Sequence, residues 1–186
     1  ASRLASQVAG DRADGETFAK LLYNDRLARD NNQTFDFEGP RNALGLNRVF
    51  VLAGPRTCSA SELVINGLRP FVDVVLIGDA TCGKPVGFLP QDDGCDTTYS
   101  AVNFESVNAR DEGRYFEGLN PTCNAADDVS RPIGALDDIL LVTAAAYADN
   151  GVCPATGAVR EQPLAAPKPK SKRRLEPGER HDMIPR

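Results

Sequence analysis

Apolar and polar positions along the chain divide it into a weakly patterned start, a strongly patterned middle and an unpatterned end. Leu4 and Val8 lie one helical turn apart, and Gly10 follows, so residues 1 to 9 are predicted as the end of a helix. Thr17 to Tyr23 has the length and composition of a short strand, and residues 24 to 45 are polar and broken by Gly39-Pro40. Arg48 to Ala53 is then a compact apolar run, stopped by Gly54-Pro55. Residues 59 to 69 place Leu63, Val64, Gly67 and Leu68 at helical spacing, and Val72 to Ile77 is a β-branched run. Strand, helix and strand in succession predict a βαβ unit, hence a parallel, buried sheet with a right-handed crossover.

Downstream, Thr97 to Glu105 and Arg114 to Leu119 read as two strands of an antiparallel hairpin turning near Ala109. Residues 136 to 148 read as an amphipathic helix with Leu136, Ile139, Leu140, Thr143 and Tyr147 on one face. Beyond Cys153 lie six of the 13 prolines and no periodicity, so 154 to 186 is expected to be a disordered, basic, Pro-rich tail behind a domain of residues 1 to 153. The fold class expected is therefore α/β, a parallel βαβ unit followed by an antiparallel hairpin and a C-terminal helix.

Charge removes some functions. The net charge is −5, and because the tail carries an excess of about four Lys/Arg, the body is near −9. A body so acidic argues against a nucleic-acid partner. No apolar run approaches the ~20 residues that cross a bilayer. Five cysteines, at 58, 82, 95, 123 and 153, show no paired CxxC spacing of a zinc site and favour an oxidising compartment, reached by export. In the predicted hairpin, paired residues have numbers summing to about 218, as do 95 and 123. A Cys95–Cys123 disulfide is expected, against the alternative of two free thiols.

The lone histidine, His181, lies in the tail. A Ser-His-Asp triad, a Cys-His dyad or an HExxH zinc site needs a histidine in the folded body, so a nucleophile here requires another base, and lysine is the obvious one. Two segments compete for chemistry. Gly78-Asp-Ala-Thr-Cys-Gly83-Lys84-Pro85 nearly spells a phosphate-binding loop. Pro85, however, stands where a magnesium-binding hydroxyl belongs and offers no N–H, which weakens a P-loop-like nucleotide reading. Thr57-Cys58-Ser59-Ala60-Ser61-Glu62 lies between a strand and a helix. Ser59 and Glu62 make a capping box there, and the same helix start is suited to stabilise an oxyanion.

Together these segments resemble the C-terminal processing (tail-specific) peptidases, a serine/lysine family with a Clp protease/crotonase-like fold. That family carries a Ser-Ala-Ser-Glu signature, an apolar strand, and then Gly-Lys with the lysine 25 positions after the first serine. Ser59 and Lys84 stand at that separation, and Gly118-Leu-Asn-Pro-Thr122 is similar to the family's later Gly-x-x-Pro stretch. The resemblance implies a serine-type endopeptidase without cofactor or metal, acting on protein or peptide substrates in the bacterial periplasm. Ser59 would be its nucleophile, Lys84 its base, and the Ala60 N–H one oxyanion donor. An ordinary lysine amine titrates near about 10.4, so the mechanism requires surroundings that favour the neutral form. Two departures accompany the likeness: Phe88 stands where many members have a glutamine, and the family's upstream Asn-Gly-Gly-Gly turn and PDZ domain are not in the sequence. The chain is thus expected to be a C-terminal catalytic fragment, inactive alone. The rival within the same fold is a non-catalytic, ligand-binding member.

Overall fold

A computed structural model of the chain describes residues 1–39, 42–130, 132 and 134–155. Its centre is the βαβ unit. Strand β3 (Arg48–Ala53) pairs in parallel with β4 (Asp73–Gly78) over their full lengths, Arg48 opposite Asp73 and Ala53 opposite Gly78. Helix α3 (Ala60–Leu68) makes the crossover. Residues of β4 alternate between two apolar clusters: Leu76 packs with Ile65 of α3, while Val75 and Ile77 pack with Leu140 and Ala144 of the C-terminal helix α4 (Ile139–Asn150). Because both faces are covered, the strand is a continuous apolar run with no polar alternation.

A second, antiparallel sheet lies on the other side of α3. Strand β1 (Thr17–Tyr23) has β2 (Gln33–Asp36) on one edge and β8 (Phe104–Val107) on the other, and β8 also pairs with β5 (Val86–Gly87). Phe18 of β1 is buried with Ala5 and Ala9 of α1 (Ser2–Ala9) and Leu68 of α3. Gly67 makes that approach possible: a Cβ there would come within 2.5 Å of the Phe18 ring. Asn66 and Asn108 fasten α3 to the end of β8. The Asn108 amide nitrogen donates to Asn66 O at 3.1 Å and to the Glu112 carboxylate at 2.8 Å, and its carbonyl accepts Arg110 N–H and Glu112 N–H.

This turn overturns the predicted hairpin. With β1 on one edge and β5 on the other, β8 has no edge left for residues 114–119. Arg114 (φ 59°) and Gly118 (φ 88°) are left-handed, so that segment is a chain of turns and no strand. The small hairpin nearby instead pairs β6 (Gln91–Asp92) with β7 (Thr98–Tyr99). The expected Cys95–Cys123 disulfide fails with the register. Cys95 is a free, exposed residue in the β6–β7 turn, whereas Cys123 lies buried in β9 (Cys123–Asn124), opposite Ile77, and is bonded to Cys153 beyond α4. Helix α4 starts three residues later than predicted, because Asp138 caps it by accepting Leu140 N–H and Leu141 N–H; Leu136 is outside the helix and 90% exposed. In the polar stretch 24–45, a single helical turn, α2 (Ala28–Asn31), precedes β2. The tail expected to be disordered lies, from residue 156 on, outside the described residues.

Candidate active site

Ser59 occupies the corner between β3 and α3, with φ 54° and ψ −111°. A non-glycine residue holds such backbone only when its neighbours enforce it. Before it, Thr57 N–H donates to Gly54 O at 2.8 Å, and Gly54 N–H donates to the Thr57 hydroxyl at 3.0 Å. After it, Leu63 N–H donates to Ser59 O at 2.8 Å, opening the helix. Ala60 is the first helical residue, so its amide belongs to the unsatisfied first turn, the expected place for an oxyanion donor.

Lys84 comes from the loop after β4. Gly83 precedes it at φ 78°, and a Cβ there would fall 2.1 Å from Phe116 O, so only glycine fits. Cys82 N–H donates to Thr57 O at 3.0 Å, and Thr81 N–H to Leu119 O at 3.2 Å. The first of these bonds lays the lysine loop against the serine corner, and the second ties it to the segment that ends at Leu119.

One carboxylate ties the two together. Glu62 is 0% exposed. Its Oε2 accepts Ser59 N–H and Lys84 N–H, both at 2.9 Å, while Oε1 accepts Gly83 N–H at 2.8 Å and the Thr81 hydroxyl at 2.5 Å. Four donors converge on a charge that burial alone would make costly. The Cys58–Cys82 disulfide, Cα atoms 5.3 Å apart, joins the same two segments covalently. Capping predicts only the Ser59 half of this role for Glu62. The rest has a signal in the spacing: if Ser59 and Lys84 meet, Cys58 and Cys82 must approach as well.

The clamp also bears on the phosphate-loop spelling of residues 78–85. The Gly83 and Lys84 amides, which a phosphate would use, already face a carboxylate, and Pro85 is buried with its carbonyl accepting from Ser106. An anion on this loop would meet negative charge. Cys58, Glu62 and Cys82 form the one cluster of metal-ligand type among the described residues, but its sulfurs are bonded to each other.

Ser59 and Lys84 line one cavity of about 340 Å³, whose walls include Phe18, Leu21, Phe35, Leu63, Val86 and Phe104. No hydrogen bond joins the Ser59 hydroxyl to the Lys84 amine among the described residues. Lys84 Nζ lies 5.1 Å from the centre of the Phe88 ring, a cation–π contact. Phe88 thus takes hold of the lysine at the position where the resemblance leads one to expect a glutamine. Burial raises the Tyr115 hydroxyl above the usual phenol range; the nearby Ser106 side chain opposes the shift, and the negative charge of Glu62 adds to it. That hydroxyl is buried and makes no well-formed hydrogen bond among the described residues.

The sequence matches no family model and no curated protein. Solved structures do match. A candidate S41 protease from Bacteroides fragilis NCTC 9343 superposes with a TM-score of 0.72 at 29% identity, over 82% of this chain and 41% of its own length. The chain is similar in fold to an S41 protease. The photosystem II D1 C-terminal processing protease follows at a TM-score of 0.50 and 14% identity, over 66% of this chain and 30% of its own. A lipoprotein from Streptococcus agalactiae aligns at 0.52 and 12%, over 80% and 48%. The last two are likenesses of fold alone. The chain spans less than half the length of each of the three. The S41-like core is a mixed α/β fold with parallel and antiparallel sheets, and Ser59 and Lys84 face a common cavity between the start of α3 and the β2-β1-β8-β5 sheet.

Proposed function

We propose that this chain carries the catalytic Ser59 and Lys84 of a serine-type endopeptidase of the C-terminal processing class. The observation that carries the reading is the fastening of a strained serine and a loop lysine to one buried carboxylate, at the wall of one apolar cavity. In this mechanism the Lys84 ammonium leaves the Phe88 ring and gives up its proton to solvent as substrate enters, and the free amine then takes the Ser59 proton as Oγ attacks the peptide carbonyl. The Ala60 N–H, strengthened by the helix dipole, receives the developing oxyanion, and the lysine then gives its proton to the departing amine. Water hydrolyses the acyl-serine in a second pass through the same base. Aliphatic and aromatic walls suit an apolar substrate side chain beside the scissile bond. Two disulfides fit an exported protein, in the bacterial periplasm on this reading.

The experiment uses the full-length protein and an unstructured protein substrate. Ser59→Ala is expected to abolish cleavage, and Lys84→Ala to be about as damaging, because members of one catalytic unit do not contribute additively. Unchanged turnover in Ser59→Ala would end the proposal. A second reading, a ligand-binding member without hydrolysis, draws on one observation: the lysine rests on Phe88 and makes no bond to the serine. It requires that the wild type bind peptides and cleave none.

A further inference from the structure

Ser59 is held on three sides. Its N–H is held by Glu62, its carbonyl opens α3, and the residue before it is bonded to Cys82. Only the last of these fastenings is covalent and chemically reversible. Cys58 directly precedes the nucleophile, and Cys82 stands two residues before the lysine, so the bridge spans the two catalytic segments close to both reacting side chains. Both cysteines are half-buried, while the Glu62 carboxylate beside them is fully enclosed.

Resting on the peptidase reading, we propose that the Cys58–Cys82 bridge is a positioning element of the Ser59/Lys84 pair, and that a dithiol reductant slows turnover by opening it. A reductant thiolate attacks one sulfur and displaces the other as a thiolate. The reductant's second thiol then displaces the first cysteine and closes a cyclic disulfide. Two electrons and two protons pass from the dithiol to the protein, leaving Cys58 and Cys82 as thiols. The Glu62 clamp survives, so the loops stay docked and the fold is retained. What is lost is the covalent constraint on the residue directly before Ser59, whose backbone then relaxes out of its left-handed conformation and carries Oγ away from the lysine.

The second bridge is a built-in control. Cys123–Cys153 ties β9 to the end of α4 and touches neither catalytic segment. The test measures kcat and KM of the full-length protein on a fluorogenic, unstructured peptide, oxidised, after dithiothreitol, and after reoxidation. Opening the bridge should lower kcat about tenfold, equivalent to about 1.4 kcal/mol of barrier, with KM changed less than about twofold. Reoxidation should restore it, and the far-ultraviolet circular dichroism should not change. Cys58→Ser/Cys82→Ser should show the reduced-state kcat and ignore the dithiol, whereas Cys123→Ser/Cys153→Ser should respond like the wild type. If the first double variant does not fold, differential alkylation and peptide mapping of the reduced wild type assign the loss of rate to the bridge that has opened. Equal kcat in the oxidised and reduced states, an effect confined to KM, or a response that follows the second bridge overturns the inference alone. Oxidised protein that cleaves nothing overturns the peptidase reading, and the inference with it.

Discussion

The stretch from β3 to β5 and the stretch from Phe88 to Leu119 are of similar length but are ordered by different forces. In the first, apolar runs lie between helices, and Ile65, Leu76 and Ile77 are almost wholly buried. In the second, the two-residue strands β6 and β7 are exposed, only the four-residue β8 is partly buried, and order comes from side chains closing turns: Asn108 over 108–112, Asp93 over 93–97, Thr81 on Leu119. Burial of apolar surface has no direction and tolerates small errors, whereas a turn held by one amide fails when that amide is removed. The candidate site draws on both. Its scaffold is of the first kind, while Glu62 is a polar fastening of the second kind set inside the first.

Replacing that carboxylate should therefore produce the largest structural effect. Glu62→Ala strands four donors in a buried place, and a loss of about 3–5 kcal/mol is expected from urea unfolding. A loss under about 1 kcal/mol would mean that packing alone holds the serine and lysine segments together. Asn108→Ala should cost less, about 1–3 kcal/mol, because Glu112 and Arg110 lie near water and recover partners there. Its hydrogen-exchange signature should be confined to residues 105–116 and the facing turn of α3; protection lost evenly along β3 and β4 would erase the distinction between the two stretches. The smallest effect is expected at Tyr115. Tyr115→Phe removes a buried hydroxyl that makes no well-formed hydrogen bond among the described residues, so stability should stay level or rise by up to about 1 kcal/mol. A fall of more than that would assign the hydroxyl a partner.

Strands 48–53 and 73–78, the helix between them and the helix before Gly10 were legible because their signals are local. β-branched runs, 3.6-residue spacing and stop residues act within a few positions. The Ser59-x-x-Glu62 cap was legible for the same reason, as was the start of β1 at Thr17. The Ser59/Lys84 separation was read as a resemblance, and the fold similarity to S41 peptidases supports it at the level of the fold.

What escaped the sequence depends on partners far away along it. Residues 104–107 overlap the end of the strand expected over 97–105, but nothing local says that β1 and β5 occupy the edges of β8 and exclude residues 114–119. The cysteine pairing followed from that exclusion, since Cys95 lies in the β6–β7 turn, Cys123 lies in β9 beside β4, and the chain leaving α4 delivers Cys153 instead. The sequence by itself determined the apolar framework and which residues stand at its corners, because those preferences are set by each residue and its near neighbours. Tertiary structure alone decided which corners face one another, because a carboxylate at position 62 finds donors at 59, 81, 83 and 84 only after the parallel strands have brought two loops to the same end of the sheet.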